Sequence, residues 1–543
     1  MQMKKRLLFI LVFIVSLATY PSTSFGQAPN LGSAADFVLF STDGAVSNSG
    51  LSQITGNVGT NNGSSTAFRN VNGVMHDGDG VSAQCAADLL IAYNQLNSAV
   101  PTLFPAPLLG NGATLNAAIY SISSAATLNL TLNLDAQGNP NAVFIFQIQG
   151  PLSTNAAAKI KLLNGAQACN VFWKVEGLVS MASGTTMRGT IIANNAAIIM
   201  NTGDTLEGRA LSTAGAITID GVLAYTPIGC GSAVLNGPTA PNLGATACYA
   251  IFSSDGAVSN SGITNVSGDV GSNNGLTTGY NPLLVNGDIH LIPDGSTAQA
   301  AADLLVAYNY VNSLSADIEL LYPADFGKNL VLTPHTYLLG GATTFTDTLY
   351  LNAQGNANAV FVIQINGALS TSTYAKVVLM NGARSENVFW KVEGAVSINN
   401  YSIFRGTIIC NNGALSALNT GVILDGRALT TNGALTSTAM DATAPLIPGN
   451  CSTIGLPVIN TVGDLVDIYP NPFQTKTTIR FNDPALIADC ELKIYNSVGK
   501  EVLSTKLQNP STILENNFGN GVYFYRVIAH GETLQSGKII AQN

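Results

Sequence analysis

Residues 150–219 repeat one short pattern of apolar and polar positions: a Gly or Asn corner followed by alternating inward and outward side chains. The pattern reads Gly150-Pro-Leu-Ser-Thr, Gly177-Leu-Val-Ser-Met, Asn195-Ala-Ala-Ile-Ile-Met and Gly215-Ala-Ile-Thr-Ile. Side chains alternate across a strand, so Val179 and Met181 point inward and Ser180 outward. Ile217 and Ile219 bracket Thr218 in the same way. Short strands and corners returning about every twenty residues predict the stacked rungs of a β-solenoid. Equivalent residues of neighbouring rungs then lie about 4.7–4.9 Å apart. Stacking predicts an outward column of Ser153, Ser180, Ile199 and Thr218.

The whole pattern occurs twice. Residues 40–50 return almost unchanged at 252–262, and residues 170–177 return as 387–394, both reading Asn-Val-Phe-Trp-Lys-Val-Glu-Gly. Arg188-Gly-Thr-Ile-Ile returns at 405–409. The second set of rungs is Gly367-Ala-Leu-Ser-Thr, Gly394-Ala-Val-Ser-Ile, Gly413-Ala-Leu-Ser-Ala and Gly433-Ala-Leu-Thr-Ser. Its column is Ser370, Ser397, Ser416 and Thr436, which lacks the interruption that Ile199 makes in copy one and so reads as the more regular face. Each copy also contains one helical stretch, residues 82–99 and 297–314. Ala86, Leu89, Leu90, Tyr93 and Leu96 form an apolar stripe there, and Ser82 and Thr297 are placed as N-caps.

These units sort the 543 residues into a leader (1–26), copy one (27–229), a linker (230–246), copy two (247–449), a second linker (450–465) and a tail (466–543). Lys4-Lys5-Arg6, the apolar stretch from Leu7 to Ala18 and the small residues before Gln27 read as a cleaved secretory signal, leaving no membrane insertion afterwards. Charged residues make up only 10% of the chain and 54 residues are Gly, so Ser, Thr, Asn and Gly must cover the surface. A net charge of −9 without a basic cluster argues against nucleic acid. Seven Cys show no metal-ligand spacing, and export permits disulfides. A Cys230–Cys248 bridge across the junction is one possibility, and the odd count leaves a thiol over.

The duplicated unit resembles the microbial ice-binding protein domain. The Gly-Asn-Val-Gly and Gly-Asp-Val-Gly segments at 56–59 and 268–271 carry the resemblance. So do the Ala-Ala-Asp-Leu-Leu helix, Asn-Val-Phe-Trp-Lys-Val, Arg-Gly-Thr-Ile-Ile, and Gly-Arg-Ala-Leu at 208–211 and 426–429. It implies a mainly β chain of two discontinuous right-handed β-solenoids of triangular section. Each would have one long flanking helix and one flat face that meets ice. The tail resembles a type IX secretion sorting domain through Val466-Asp-Ile-Tyr-Pro-Asn-Pro472, residues 492–499, Gly521-Val-Tyr-Phe-Tyr-Arg-Val527 and Lys538-Ile-Ile540. That implies a small β-sandwich, the type IX machinery as partner, and an extracellular or cell-surface location. A monomer is expected.

An uncharged lattice of hydroxyls and methyls suits ice, because charges would orient water in their own fields. Taken alone, outward Ser and Thr are ordinary strand residues; the resemblance turns the reading to ice. Besides the two columns, corner residues Thr213 and Thr431 are candidates, in Ser212-Thr-Ala-Gly215 and Thr430-Thr-Asn-Gly433. Trp173 and Trp390 read as core. Arg188, Glu207 and Arg209, with their counterparts Arg405, Asp425 and Arg427, read as corner salt bridges. The four His share no evident partner pattern, and Asp77-Gly-Asp79 lacks the other calcium ligands. No cofactor, metal or catalytic set is expected, since the rungs are too poor in charge to build an active groove. The competing reading is a cell-surface adhesin or glycan-binding solenoid, which predicts a groove with exposed aromatics.

Overall fold

The computed structural model describes residues 26–230, 234–445, 466–482, 490–497, 499–529 and 532–542. The expected leader up to residue 25, Cys451, the second linker from 450 and His530 lie outside them. The chain divides into two units, Met1–Asn450 and Cys451–Asn543. It is mainly β, with two long helices, α1 (Gly80–Ser98) and α2 (Gly295–Ser313).

Each copy builds two parallel sheets. In copy one, the smaller sheet runs edge to edge through Ser65–Thr66, Val46–Ser49, Ile217–Asp220, Ile198–Met200, Val179–Ser180, Leu152–Thr154, Ala126–Asn129 and Leu108–Gly110. This is row one. The larger sheet has two branches. Row two includes Gln53–Thr55, Leu223–Tyr225, Lys159–Leu163 and Thr131–Asp135; row three includes Asn57–Asn62, Phe37–Asp43, Val171–Val175 and Phe144–Ile148. Thr186–Ala193 and Thr205–Ser212 belong to both, pairing in row two through their first residues and in row three through their last. They turn at Gly189 (φ +104°) and Gly208, where a Cβ would come within 1.9 Å of the Gly189 carbonyl oxygen. The chain passes row one, row two and row three in that order, rung after rung, and copy two repeats the scheme. Chain order and stacking order differ at one point: the early strand Val46–Ser49 pairs with the late strand Ile217–Asp220.

Burial follows from what covers each row. Row one alternates, as in Ile217–Asp220, because only one face meets the core. Phe144–Ile148 and Val171–Val175 are buried at every position, with Phe146 and Trp173 inward and Ile145 and Phe172 packed under α1. Trp173 is core: its ring stacks on Phe146 at 4.0 Å between centroids, and Nε1 donates to the Arg188 carbonyl at 2.9 Å. Trp390 makes the equivalent bond to Arg405 at 2.8 Å.

The helices begin earlier than the sequence predicts. Asp79 and Asp294 are the N-caps, and Ser82 and Thr297 stand three residues in, returning a hydrogen bond to the cap backbone. Their hydroxyls thus complete capping boxes. The buried stripe is Ser82, Cys85, Leu89, Ala92 and Leu96, while Leu90 faces solvent at 54% exposure. The disulfide also differs. Cys230 is bonded to Cys169, 61 residues away, and not to Cys248.

The second unit is antiparallel. Val466–Tyr469, Lys476–Phe481 and Ser511–Glu515 form one sheet. Glu501–Lys506, Glu491–Tyr495, Gly521–Ala529 and Glu532–Ala541 form another, and both contribute to a common core around Leu492, Val527 and Ile539.

Candidate functional site

Most of the charged residues repeated in both copies have structural work. Lys174 is buried beneath α1 and reaches Glu176 at 2.5 Å, which also accepts from Tyr93 and Asn194 at 2.7 Å. Lys391, Glu393, Tyr308 and Asn411 repeat this cluster. Burial pushes the Glu176 carboxyl up, but hydrogen bonds from Lys174, Asn194 and Tyr93 outweigh it and its pKa lies below the ordinary value. The same burial, with Glu176 alongside, lifts the Tyr93 hydroxyl to about 12. Gln147 and Gln364 donate to the last carbonyls of the helices, at Leu96 and Ala99 and at Val311 and Leu314.

Two expectations about charged groups change. Arg188 pairs with Glu207 at 2.7 Å and Arg405 with Asp425 at 3.6 Å, but Arg209 and Arg427 are buried and donate to backbone, at Ala35 and at Ala247 and Pro445. His76 and His290 do share a partner: each lies against the aspartate that caps its helix, 2.7 Å from Asp79 and 2.9 Å from Asp294. Hydrogen bonds from Ser296 and His290 hold the Asp294 carboxyl well below its usual range. Asp77 accepts from the Ser65 backbone and hydroxyl, both at 2.7 Å. Both carboxylates of the Asp77-Gly-Asp79 segment are therefore engaged by protein groups, and no cluster of metal-ligating side chains occurs among the described residues.

Row one is organised differently. Strand register places Thr66, Ser47, Thr218, Ile199, Ser180, Ser153, Thr127 and Leu108 in one outward line across copy one. Ser153, Ser180 and Thr218 therefore stand in one column, with Ile199 among them. In copy two the line is Thr278, Ser259, Thr436, then Ser397, Ser370 and Thr344. Here a bulge intervenes, because Val396 pairs with Leu415 but Ser397 pairs with Ala417. Ser416 is the extra residue: it is exposed but out of register, so the hydroxyl line of copy two is the broken one.

A second outward column lies two residues earlier on each strand, on the same face. In copy two it consists of Leu276, Ala257, Ala434, Ala414, Ala395, Ala368 and Ala342, placed by the register of the residues that follow them. Copy one has Ser64, Ala45, Ala216, Ala197, Leu178, Pro151 and Ala125. Six consecutive alanines thus form a smooth strip in copy two, whereas Leu178, 40% exposed, rises from the strip in copy one. Neither column contains a charge.

The margin of the face is set by glycine. A Cβ on Gly433 would sit 2.5 Å from the Gly413 carbonyl oxygen, one on Gly256 2.4 Å from that of Gly433, and one on Gly367 2.4 Å from the Ala342 nitrogen. Buried hydroxyls hold the carbonyls of this corner: Ser41 to Gly215, Ser212 to Ala196, Ser253 to Gly433 and Thr430 to Gly413, all at 2.8–2.9 Å. Thr213 and Thr431 lie at this corner and donate to Asn194 and Asn411 at 2.9 and 2.7 Å. They stand at the edge of the face, not within its two columns.

Sequence reasoning missed the alanine column, Ser47, Thr66 and Thr127, and their counterparts Ser259, Thr278 and Thr344. A signal for part of this was present: Gly44-Ala-Val-Ser and Gly256-Ala-Val-Ser spell the same rung as Gly394-Ala-Val-Ser.

A family profile described as Ice-binding-like matches residues 40–223 and 252–442, and one described as Secretion system C-terminal sorting domain matches 467–542. The chain is 37% identical over 216 residues to an ice-binding protein of Nostoc sp. (strain HG1), covering 39% of this chain and 79% of that one. It is 26% identical over 390 residues to ice-binding protein 1 of Shewanella frigidimarina, covering 64% of this chain and 42% of the relative. A crystal structure of an ice binding protein from an Antarctic Flavobacteriaceae bacterium superposes with a TM-score of 0.77 at 60% identity, over 79% of this chain and all of that one. With its profile matched in both copies, over more than half of its length, this chain belongs to the ice-binding-like family.

Proposed function

We propose that this is an exported protein that adsorbs to ice through row one of each copy, each copy winding as a right-handed β-solenoid of triangular section. The observation that carries this reading is the pair of uncharged columns, alanine beside Ser/Thr, on an open row whose spacing is set by the β-ladder. Of the three rows, row three is covered by a helix and row two carries lysines such as Lys159 and Lys376. A rigid array of methyls and hydroxyls holds an ordered water layer that merges with a crystal surface. Growth between adsorbed molecules then curves, depressing the freezing point and blocking recrystallisation. No covalent chemistry takes part. The ice-binding candidates are Ser153, Ser180, Thr218, Ser370, Ser397 and Thr436 with the alanines beside them; Ser416, Thr213 and Thr431 are peripheral. The second unit, a small β-sandwich, directs the chain through type IX secretion to the exterior, where it works as a monomer.

The adhesin reading requires aromatic faces open to sugar. The exposed pair Tyr374 and Tyr401 stack on each other at 5.2 Å, and Tyr401 also lies against Gly421, so Tyr401 is held between neighbouring rungs and one face of Tyr374 is covered. The deciding experiment measures thermal hysteresis and recrystallisation inhibition of the full chain beside Ala414→Tyr and Thr436→Tyr. Activity in the native chain that falls in both variants is expected; full activity in both would remove row one of copy two as an ice face.

A further inference from the structure

We infer that the two copies are locked end to end with like rows adjoining, so that their two ice faces form one composite surface. The inference rests on the proposed ice-binding role of row one; the alignment itself rests on the junction.

Copy one ends its stack with the rung that runs from Ser65–Thr66 through residues 69–72 to Met75–Asp77. Copy two begins with the rung Phe326–Gly327 followed by Leu330–Leu332. Row two of one meets row two of the other, with Gln53–Thr55 in contact with Leu330–Leu332. At the start of this row Gln53 Nε2 donates to the Lys328 carbonyl at 3.0 Å. At its end Asn72 Nδ2 donates to Thr333 Oγ1 at 3.0 Å, and Tyr337 donates to Asn72 Oδ1 at 2.7 Å. Start meets start and end meets end, so the adjoining strands run the same way. Both copies take the rows in the same order, which places row one of copy two on the same side as row one of copy one.

The hydrogen-bonded centre of the junction is specific and buried. Asn72, Thr333 and Tyr337 are all at most 3% exposed. Asn70 and Tyr322 bond reciprocally, Nδ2 to the carbonyl and amide to Oδ1, each at 2.9 Å, as paired strands do. Arg69 approaches Asp325 at 3.8 Å. The connecting chain is held as well: Cys230 is bonded to Cys169, and by Leu235 and Asn236 the backbone already accepts from Asn356 and Val360 of copy two. Both copies fall within one compact unit. A free linker would let each copy find ice separately, with the second encounter governed by effective concentration. A fixed junction makes both faces arrive on one crystal plane together.

The test compares four full-length proteins: native, Thr218→Tyr, Thr436→Tyr, and the junction variant Asn70→Ala/Asn72→Ala. Thermal hysteresis is read at equal molarity, and the radius of gyration by small-angle scattering. Native activity should exceed the sum of the two single-face variants, and the junction variant should fall to that sum while its radius of gyration grows. Should the double variant fail to fold, Asn70→Asp sets a carboxylate against the Tyr322 carbonyl with little change of shape. Native activity equal to the sum, or a junction variant with native activity and native dimensions, would overturn the composite surface. Loss of alignment by scattering shows the junction at work whatever the ice result. A native chain that is folded but inactive would instead overturn the ice-binding reading of row one.

Discussion

Leu178 occupies a place where copy two has Ala395, and its side chain stands above an otherwise flat strip. Replacing it with alanine removes a protrusion and little buried contact. Leu178→Ala, with Ile199→Thr beside it, is expected to raise the hysteresis of a chain whose second face is disabled by Thr436→Tyr; no increase would show that the protrusion is not what limits copy one. Asp204 gives copy one a pH response. It is buried, and desolvation lifts its carboxyl to about 6, where copy two has Val422. Between about pH 4 and 6 the folded chain therefore binds a proton that the unfolded chain, with an ordinary carboxyl near 3.9, has released. Stability falls as pH rises through this window, by about 3 kcal/mol in full. Thermal melts of copy one should shift downward between pH 4.5 and 7, and Asp204→Asn should flatten that dependence.

Helices and rungs differed in how far their sequences revealed them. The rungs between residues 150 and 219 were legible because inward apolar and outward residues alternate in each rung, Ser or Thr standing outward in all but the Ile199 rung, and register then follows from the Gly and Asn corners. The helix starts were not, because Asp79 and Asp294 sit beside Gly in segments that also resemble turns, and a capping box can be entered from either of its members. Asp294→Ala removes acceptors for the Ser296 and Thr297 amides and the partner of His290. A loss of about 1 kcal/mol is expected, lowering the melting temperature of copy two with row one left intact; an unchanged melting temperature would assign the cap no net role. The alanine column escaped notice because alanine carries no polar signal, and its meaning appears only when six strands lie side by side. Ser416 misled for the opposite reason. The motif Gly-Ala-Leu-Ser is kept there, and the bulge that displaces it depends on pairing with Val396 and Ser397, which no local pattern records.

In the molecule as a whole, the disulfide Cys169–Cys230 fastens the end of copy one where the chain crosses to copy two. Closing a loop of this length stabilises by roughly 2–4 kcal/mol through the unfolded chain. Reduction, or Cys169→Ala/Cys230→Ala, should lower the melting temperature of copy one more than that of copy two, which two resolved calorimetric transitions would show; equal shifts would mean that the bond serves the junction and not the copy. The charges under the helices, Lys174 with Glu176 and Lys391 with Glu393, lie against row three, away from the two uncharged columns of row one. The β-ladder of row one carries one more consequence. Its repeat is fixed by backbone hydrogen bonds, so no side-chain substitution can stretch or compress it. A lineage selecting for a larger surface can gain area only in whole increments, a rung or an entire duplicated unit, because inserting a single residue turns every following side chain to the other side of its strand.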